Sequence, residues 1–187
     1  GAAGAYEYVD IPTDRILRSL IVRPYRAVYE PMSQVDQIKL SEDNDKRIPY
    51  DIDSLEDYVY EKEAEWPLIT ENMWTTFDVG TSYRYFQPTQ DFVVQRIIVG
   101  GTETGYPNAT PRGGRFPYVQ GSPGQEGHLV ATGYLPHHAV QLPFGDPDVI
   151  EDWYDPTALT SLEMRLRAGS SGTIGKCVII TEQLRKY

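Results

Sequence analysis

The clearest alternation of apolar and polar positions lies near the end of the chain. Leu162, Met164 and Leu166 alternate with Glu163, Arg165 and Arg167, so one face of a strand is apolar and the other charged. The following run is apolar at consecutive positions, Val178 to Ile180, and predicts a strand covered on both faces. Between them Gly169-Ser170-Ser171-Gly172 predicts a tight antiparallel hairpin, with the last strand in the middle of a sheet.

Towards the N-terminus the pattern is mixed. Ile16, Leu17, Leu20 and Ile21 fit a helical face behind the Thr13-Asp14 cap, whereas the β-branched end of the run and Pro24 fit a strand. The strand is preferred because the remaining pattern is β. Asp36, Ile38 and Leu40 alternate with Gln37, Lys39 and Ser41 to predict a further strand, and residues 46–52 its extended return. The link Glu42-Asp43-Asn44-Asp45 lacks the glycine and terminal glutamate of a calcium loop and reads as a plain turn. Asp53-Ser54 caps the one convincing helix, residues 55–64, with Glu56 and Asp57 in its first turn and Trp66-Pro67 at its end. Further strands are predicted at 74–79, 82–86, 92–99, 128–134 and 138–144, with His138, Val140, Leu142 and Phe144 on one face of the last. The stretch 100–127, rich in glycine and proline, reads as a long loop, either a surface feature or an embrace of a neighbouring subunit.

The 187 residues suit one domain, with residues 1–12 as an N-terminal arm and 13–187 as the folded body. The chain begins at Gly1 without an initiator methionine and reads as processed or trimmed, with an upstream segment lost. Fourteen prolines, sixteen glycines and fourteen tyrosines favour short strands and many turns. A net charge of −10 argues against a nucleic-acid backbone as partner. With five lysines against twelve arginines, the acidic surface hints at a salty environment. No apolar run reaches membrane-spanning length and no signal-peptide pattern stands at Gly1.

Candidate chemistry is sparse. His137 and His138 are adjacent strand positions pointing to opposite faces, with His128 as a third possible ligand, and they depart from a cupin-type His-x-His pattern. The acids Asp146, Asp148, Glu151, Asp152 and Asp155 read as turn formers and caps rather than calcium ligands. Cys177 reads as a small core hydrophobe rather than a reactive thiol. Trp66, Trp74 and Trp153 suit either a core, an interface or a sugar-stacking platform, and Asn108-Ala109-Thr110 is a glycosylation acceptor only in a glycosylating compartment. No catalytic residue, cofactor-binding residue or metal ligand is assigned, no Gly-x-Ser-x-Gly elbow occurs, and no enzyme activity or cofactor is expected.

Several stretches carry a resemblance. They are Thr13-Asp14-Arg15-Ile16-Leu17-Arg18, Gln37-Ile38-Lys39-Leu40-Ser41, Leu142-Pro143-Phe144-Gly145-Asp146, Asp152-Trp153-Tyr154-Asp155, Leu162-Glu163-Met164-Arg165-Leu166 and Glu182-Gln183-Leu184-Arg185-Lys186-Tyr187. In this layout the chain resembles the single jelly-roll major capsid proteins of the PRD1–adenovirus lineage, including small capsid proteins of haloarchaeal and thermophilic icosahedral viruses with internal membranes. The double jelly-roll members are much longer, so the chain would be a single-barrel type or one half of a double protein.

The resemblance implies an all-β fold, an eight-stranded antiparallel jelly-roll sandwich with one short helix and a long Gly/Pro-rich loop. It implies a virion protein, assembled in the host cytoplasm into pseudo-hexameric capsomers. The implied partners are copies of itself, a second related jelly-roll capsid protein, and minor capsid or internal-membrane proteins, with no specific nucleic acid. A carbohydrate-binding jelly-roll module and a cupin-like metal enzyme are the alternatives.

Overall fold

In the computed structural model the described residues are 2–26, 31–62, 65–66, 68–76, 82–85, 89–99, 102–108, 115–119, 126–134, 138–170 and 175–185. The fold is all-β and antiparallel, and its contacts divide it into two compact units, the second built mainly from Lys62–His138. Among the described residues, two four-stranded sheets supply the eight strands expected. A three-stranded and a two-stranded sheet add five more.

The first unit holds a four-stranded sheet of β1 (Tyr6–Asp10), β12 (Leu162–Ala168), β3 (Val35–Glu42) and β4 (Arg47–Ile52), in that order. Its second sheet has the order β11 (Val140–Pro143), β2 (Leu17–Tyr25), β13 (Lys176–Gln183). The alternation predicted for β12 is realised: Leu162, Met164, Leu166 and Ala168 are buried, while the intervening charges lie on the other face. They meet Ile38 and Leu40 of β3 in register, Leu166 against Ile38 and Met164 against Leu40. From the other sheet come Leu20, Val22, Val140 and Leu142, all without exposed surface. Each such side chain contributes roughly 1.5–3 kcal/mol on burial.

Two β-bulges account for positions where simple alternation fails. Opposite β13 the register shifts between Glu182 and Gln183, leaving Arg18 as the extra residue of β2. The shift lets Leu17 and Leu20 both be buried, which is why the run 16–21 also fits a helical face. In β3 the register shifts opposite Arg167 and Ala168, so Asp36 is the extra residue between Val35 and Gln37. Asp36 therefore leaves the face of Ile38 and accepts two hydrogen bonds from Arg167, at 2.7 and 2.9 Å.

The hairpin expected of the last two strands does not form. β12 and β13 belong to different sheets, and the connection crosses between them. β13 is an edge strand among the described residues, with Ile180 46% exposed, not a central strand covered on both faces. The cause lies in a one-turn helix, α1 (Pro31–Gln34). The Gly169 N–H donates to the Gln34 carbonyl at 3.0 Å, and the Gly175 N–H donates to the Gln34 side-chain oxygen at 2.9 Å. A Cβ at Gly169 would lie 2.6 Å from the Ser33 carbonyl oxygen, so glycine is required by space.

The β3–β4 link is the turn expected, with Asp43, Asn44 and Asp45 all at positive φ (44°, 60° and 66°), a conformation to which Asn and Asp are suited. Asp43 accepts from the Thr160 and Ser161 N–H groups at 2.8 and 3.0 Å, which holds its carboxyl below the usual range. The predicted helix is α2 (Leu55–Lys62), capped by Ser54, whose Oγ accepts from the Asp57 N–H at 3.2 Å. Within residues 1–12, the expected N-terminal arm, β1 is paired with β12, and the Ile11 N–H donates to the Leu162 carbonyl at 2.8 Å.

The second unit has the sheet order β5 (Ile69–Thr76), β10 (Glu126–Tyr134), β7 (Thr89–Val99), β8 (Thr102–Asn108). The strands β6 (Ser82–Tyr85) and β9 (Arg115–Val119) form a pair of their own. Within the stretch read as a long loop, β8 and β9 are therefore strands, while residues 100–101, 109–114 and 120–125 lie outside the described residues. Pro107 and Pro117 conceal these strands from periodicity; both occupy sheet edges, where a missing N–H is tolerated. The pairing is nested in each unit: β2 with β13 around β3 with β12, and β5 with β10 around β6 with β9 and β7 with β8. Such nesting is jelly-roll-like.

Replacing Gln34 with leucine is expected to lower the unfolding free energy by about 1 kcal/mol, because the part-buried Gly175 N–H loses its acceptor. Urea denaturation of the variant against the parent chain measures this.

Candidate interaction surfaces

The outer face of the first sheet is a ladder of charges. Glu163 and Asp45 both accept from Arg165, at 2.7 and 2.9 Å. Its guanidinium also lies 5.9 Å from the Tyr8 ring centre, a cation–π distance. Tyr6, cross-strand from Arg167, donates its hydroxyl to Gln37 at 3.0 Å. Tyr6 and Tyr8 stand 48% and 60% exposed at the β1 edge of this face.

Behind β1 a side cleft of about 470 Å³ opens between the two sheets, lined by Glu7, Val9, Val35, Leu166, Cys177 and Ile179. Burial, with Glu7 nearby, pushes the Cys177 thiol up to about 11. It is therefore a neutral thiol at ordinary pH, but it is half-buried on the wall of the cleft and not the core hydrophobe expected.

At the opposite side the sheets are joined by aromatics. Tyr50 donates its hydroxyl to the Pro143 carbonyl, and its ring meets Phe144 edge-on at 5.5 Å. Phe144 in turn stacks on Tyr154 at 4.7 Å. The Tyr154 hydroxyl donates to Glu42 at 2.6 Å, and Arg47 lies 3.6 Å from the same carboxylate. Burial raises the Tyr50 phenol to about 12, and burial together with the Glu42 bond raises Tyr154 further. Trp153 stands beside this cluster with the Arg18 guanidinium 5.7 Å from its ring centre. A shallow groove here is lined by Arg47, Pro49, Tyr50, Trp153 and Asp155.

The candidate residues singled out by sequence fall as follows. His138 lies outside strand β11, with φ 64° and no exposed surface, so it does not share the regular strand geometry expected of it. His128 is in β10, and His137 lies outside the described residues. Asp146 accepts from the Asp148 N–H at 2.9 Å, and Asp155 accepts from the N–H and hydroxyl of Thr157 at 3.0 and 2.6 Å. These are turn and cap geometries, as read. Trp74, on β5, is 67% exposed, while Trp153 belongs to the other unit. Asn108 ends β8, and the rest of its glycosylation triplet lies outside the described residues. The Glu42–Tyr154 pair spans 112 positions, and nothing in either local sequence announces it.

Alkaline pH is expected to expose the phenol cluster. A phenol whose folded value is raised favours the folded state fully below its ordinary value of 10.0, and this advantage is lost as pH rises through the folded value, about 12 for Tyr50. Stability is thus expected to fall between pH 10 and 12, less steeply in Tyr50→Phe. Tyrosinate absorbance and circular dichroism, recorded together along a pH titration, measure both.

Comparison with family models, with curated proteins and with solved structures found no match for the chain.

Proposed function

We propose that this chain is a structural capsid subunit of an icosahedral virus, building pseudo-hexameric capsomers with copies of itself and with a related jelly-roll protein. The observation that carries the reading is the nested antiparallel pairing, β2 with β13 around β3 with β12, in a two-sheet sandwich. Its support in sequence is the resemblance to single jelly-roll capsid proteins of the PRD1–adenovirus lineage. Exposed Tyr6, Tyr8 and Ile180 on strand edges suit contact between copies, since aromatic side chains supply much of the energy of protein interfaces. Many modest interfaces repeated over a shell give strong assembly without any one being strong. A virion location and contact with minor capsid or internal-membrane proteins belong to the same proposal. Such a role asks for no bond making or breaking and no specific nucleic acid, and the net charge of −10 is in keeping with the latter.

A carbohydrate-binding module is the second reading, favoured by the exposed ring of Trp74. Light scattering and negative-stain electron microscopy across a salt series separate the two. The capsid reading expects discrete oligomers or particles that grow with salt, as the repulsion between acidic surfaces is screened. A monomer at every salt concentration that binds glycans, and stops binding them in Trp74→Ala, overturns it.

A further inference from the structure

Among the described residues, four strand edges bound the sheets of the first unit, at β1, β4, β11 and β13. Three carry features that discourage pairing with another chain. β4 contains Pro49, β11 has four residues and ends in Pro143, and β13 opens on Lys176 and carries a register shift near its end. β1, Tyr-Glu-Tyr-Val-Asp, has neither proline nor lysine and runs against β12 without a register shift.

The direction of its backbone groups follows from the hydrogen bonds to β12. The Ala168 N–H donates to the Ala5 carbonyl and the Ile11 N–H donates to the Leu162 carbonyl, both at 2.8 Å. Odd-numbered residues of β1 thus turn their N–H and C=O groups to β12, and Tyr6, Tyr8 and Asp10 turn theirs away from it, to an edge that no other described strand pairs with.

We propose that β1 pairs with β1 of a second copy of this chain across a two-fold axis, with Tyr8 opposite Tyr8 of the copy. The inference rests on the reading of the chain as a self-assembling subunit and names one contact of that assembly. In this register Tyr6 faces Asp10 of the copy and Glu7 faces Val9, so no acid meets an acid. Three outward N–H groups per strand each find a carbonyl, which gives six hydrogen bonds across the axis.

Neighbouring registers fail on charge or on donors. Centring on Glu7 sets that carboxylate against itself, and centring between Tyr8 and Val9 sets Glu7 against Asp10. Centring on Val9 brings Pro12, which has no N–H, opposite Tyr6. Tyr6 and Tyr8 already stand together with ring centres 6.4 Å apart, so the pairing joins two tyrosines from each copy on one face. The contact is small, and repetition in an assembly gives it effect.

The test is sedimentation equilibrium of the whole chain and of Tyr8→Pro, which removes an N–H that β12 does not use. Two of the six bonds are lost, and self-association is expected to weaken about ten-fold or more, with the circular dichroism spectrum unchanged. Tyr60→Asp, on the exposed side of α2, is expected to associate as the parent does. A second measurement does not depend on the proline variant folding. In a Cys177→Ala background, Tyr8→Cys is expected to be joined copy to copy by a short bismaleimide, and Tyr60→Cys is not. Oligomers that persist unchanged in folded Tyr8→Pro, or a Tyr8→Cys chain that does not cross-link, overturn the β1 contact and leave the assembly reading standing. A parent chain that stays monomeric at every concentration overturns both.

Discussion

Gln34 has no exposed surface, yet both of its oxygens are used: the backbone carbonyl takes the Gly169 N–H and the side-chain oxygen takes the Gly175 N–H. A buried amide is costly unless its hydrogen bonds are made inside the protein. Here they are made to the two ends of the segment that leaves one sheet and enters the other. The crossing from β12 to β13 is therefore held at both ends by one residue, through its backbone carbonyl and its side chain. It brings β13, with Cys177 and Ile179, to the cleft that Val35 and Leu166 also line. Gly169 belongs to the same arrangement, because any larger residue would push against the Ser33 carbonyl.

Much of this fold is legible where the strand period is unbroken. β12 alternates from Leu162 to Ala168, and burial follows the alternation without exception. β2 and β3 are less clear in sequence because each holds one extra residue, Arg18 or Asp36, and the apolar set changes parity there. A bulge is a relation between two strands, so it has no local signature beyond a confused period. The β12–β13 link failed for a related reason. Its glycines announce a turn, but which sheet the chain then joins is decided by Gln34, more than a hundred positions earlier in the chain. β8 and β9 were hidden by their prolines.

The surfaces divide in the same way. That Asp146 and Asp155 make turns was legible, because Asp accepting from an N–H two residues onward is a local event. The aromatic junction of Tyr50, Phe144 and Tyr154 with Glu42 was not, since its members come from three separate stretches. The exposure of Tyr6 and Tyr8 is a middle case: alternation with Glu7 and Val9 is visible, but only the pairing with β12 tells which of their backbone groups face away from it.

The nested order of pairing also governs when the protein can be made. Leu17 finds its partner in Gln183, far along the chain from it, so the outer β2–β13 ladder has no partner until the strands of every inner pair have been synthesised. Closing so long a span costs chain entropy before any contact repays it, and folds of this kind are slow. The inner pairs, β7 with β8 above all, connect residues close in the chain and can form while the ribosome is still adding the rest. Until β11 and then β13 are made, β2, with Leu17, Leu20 and Val22 that are buried in the finished protein, is left without its sheet partners.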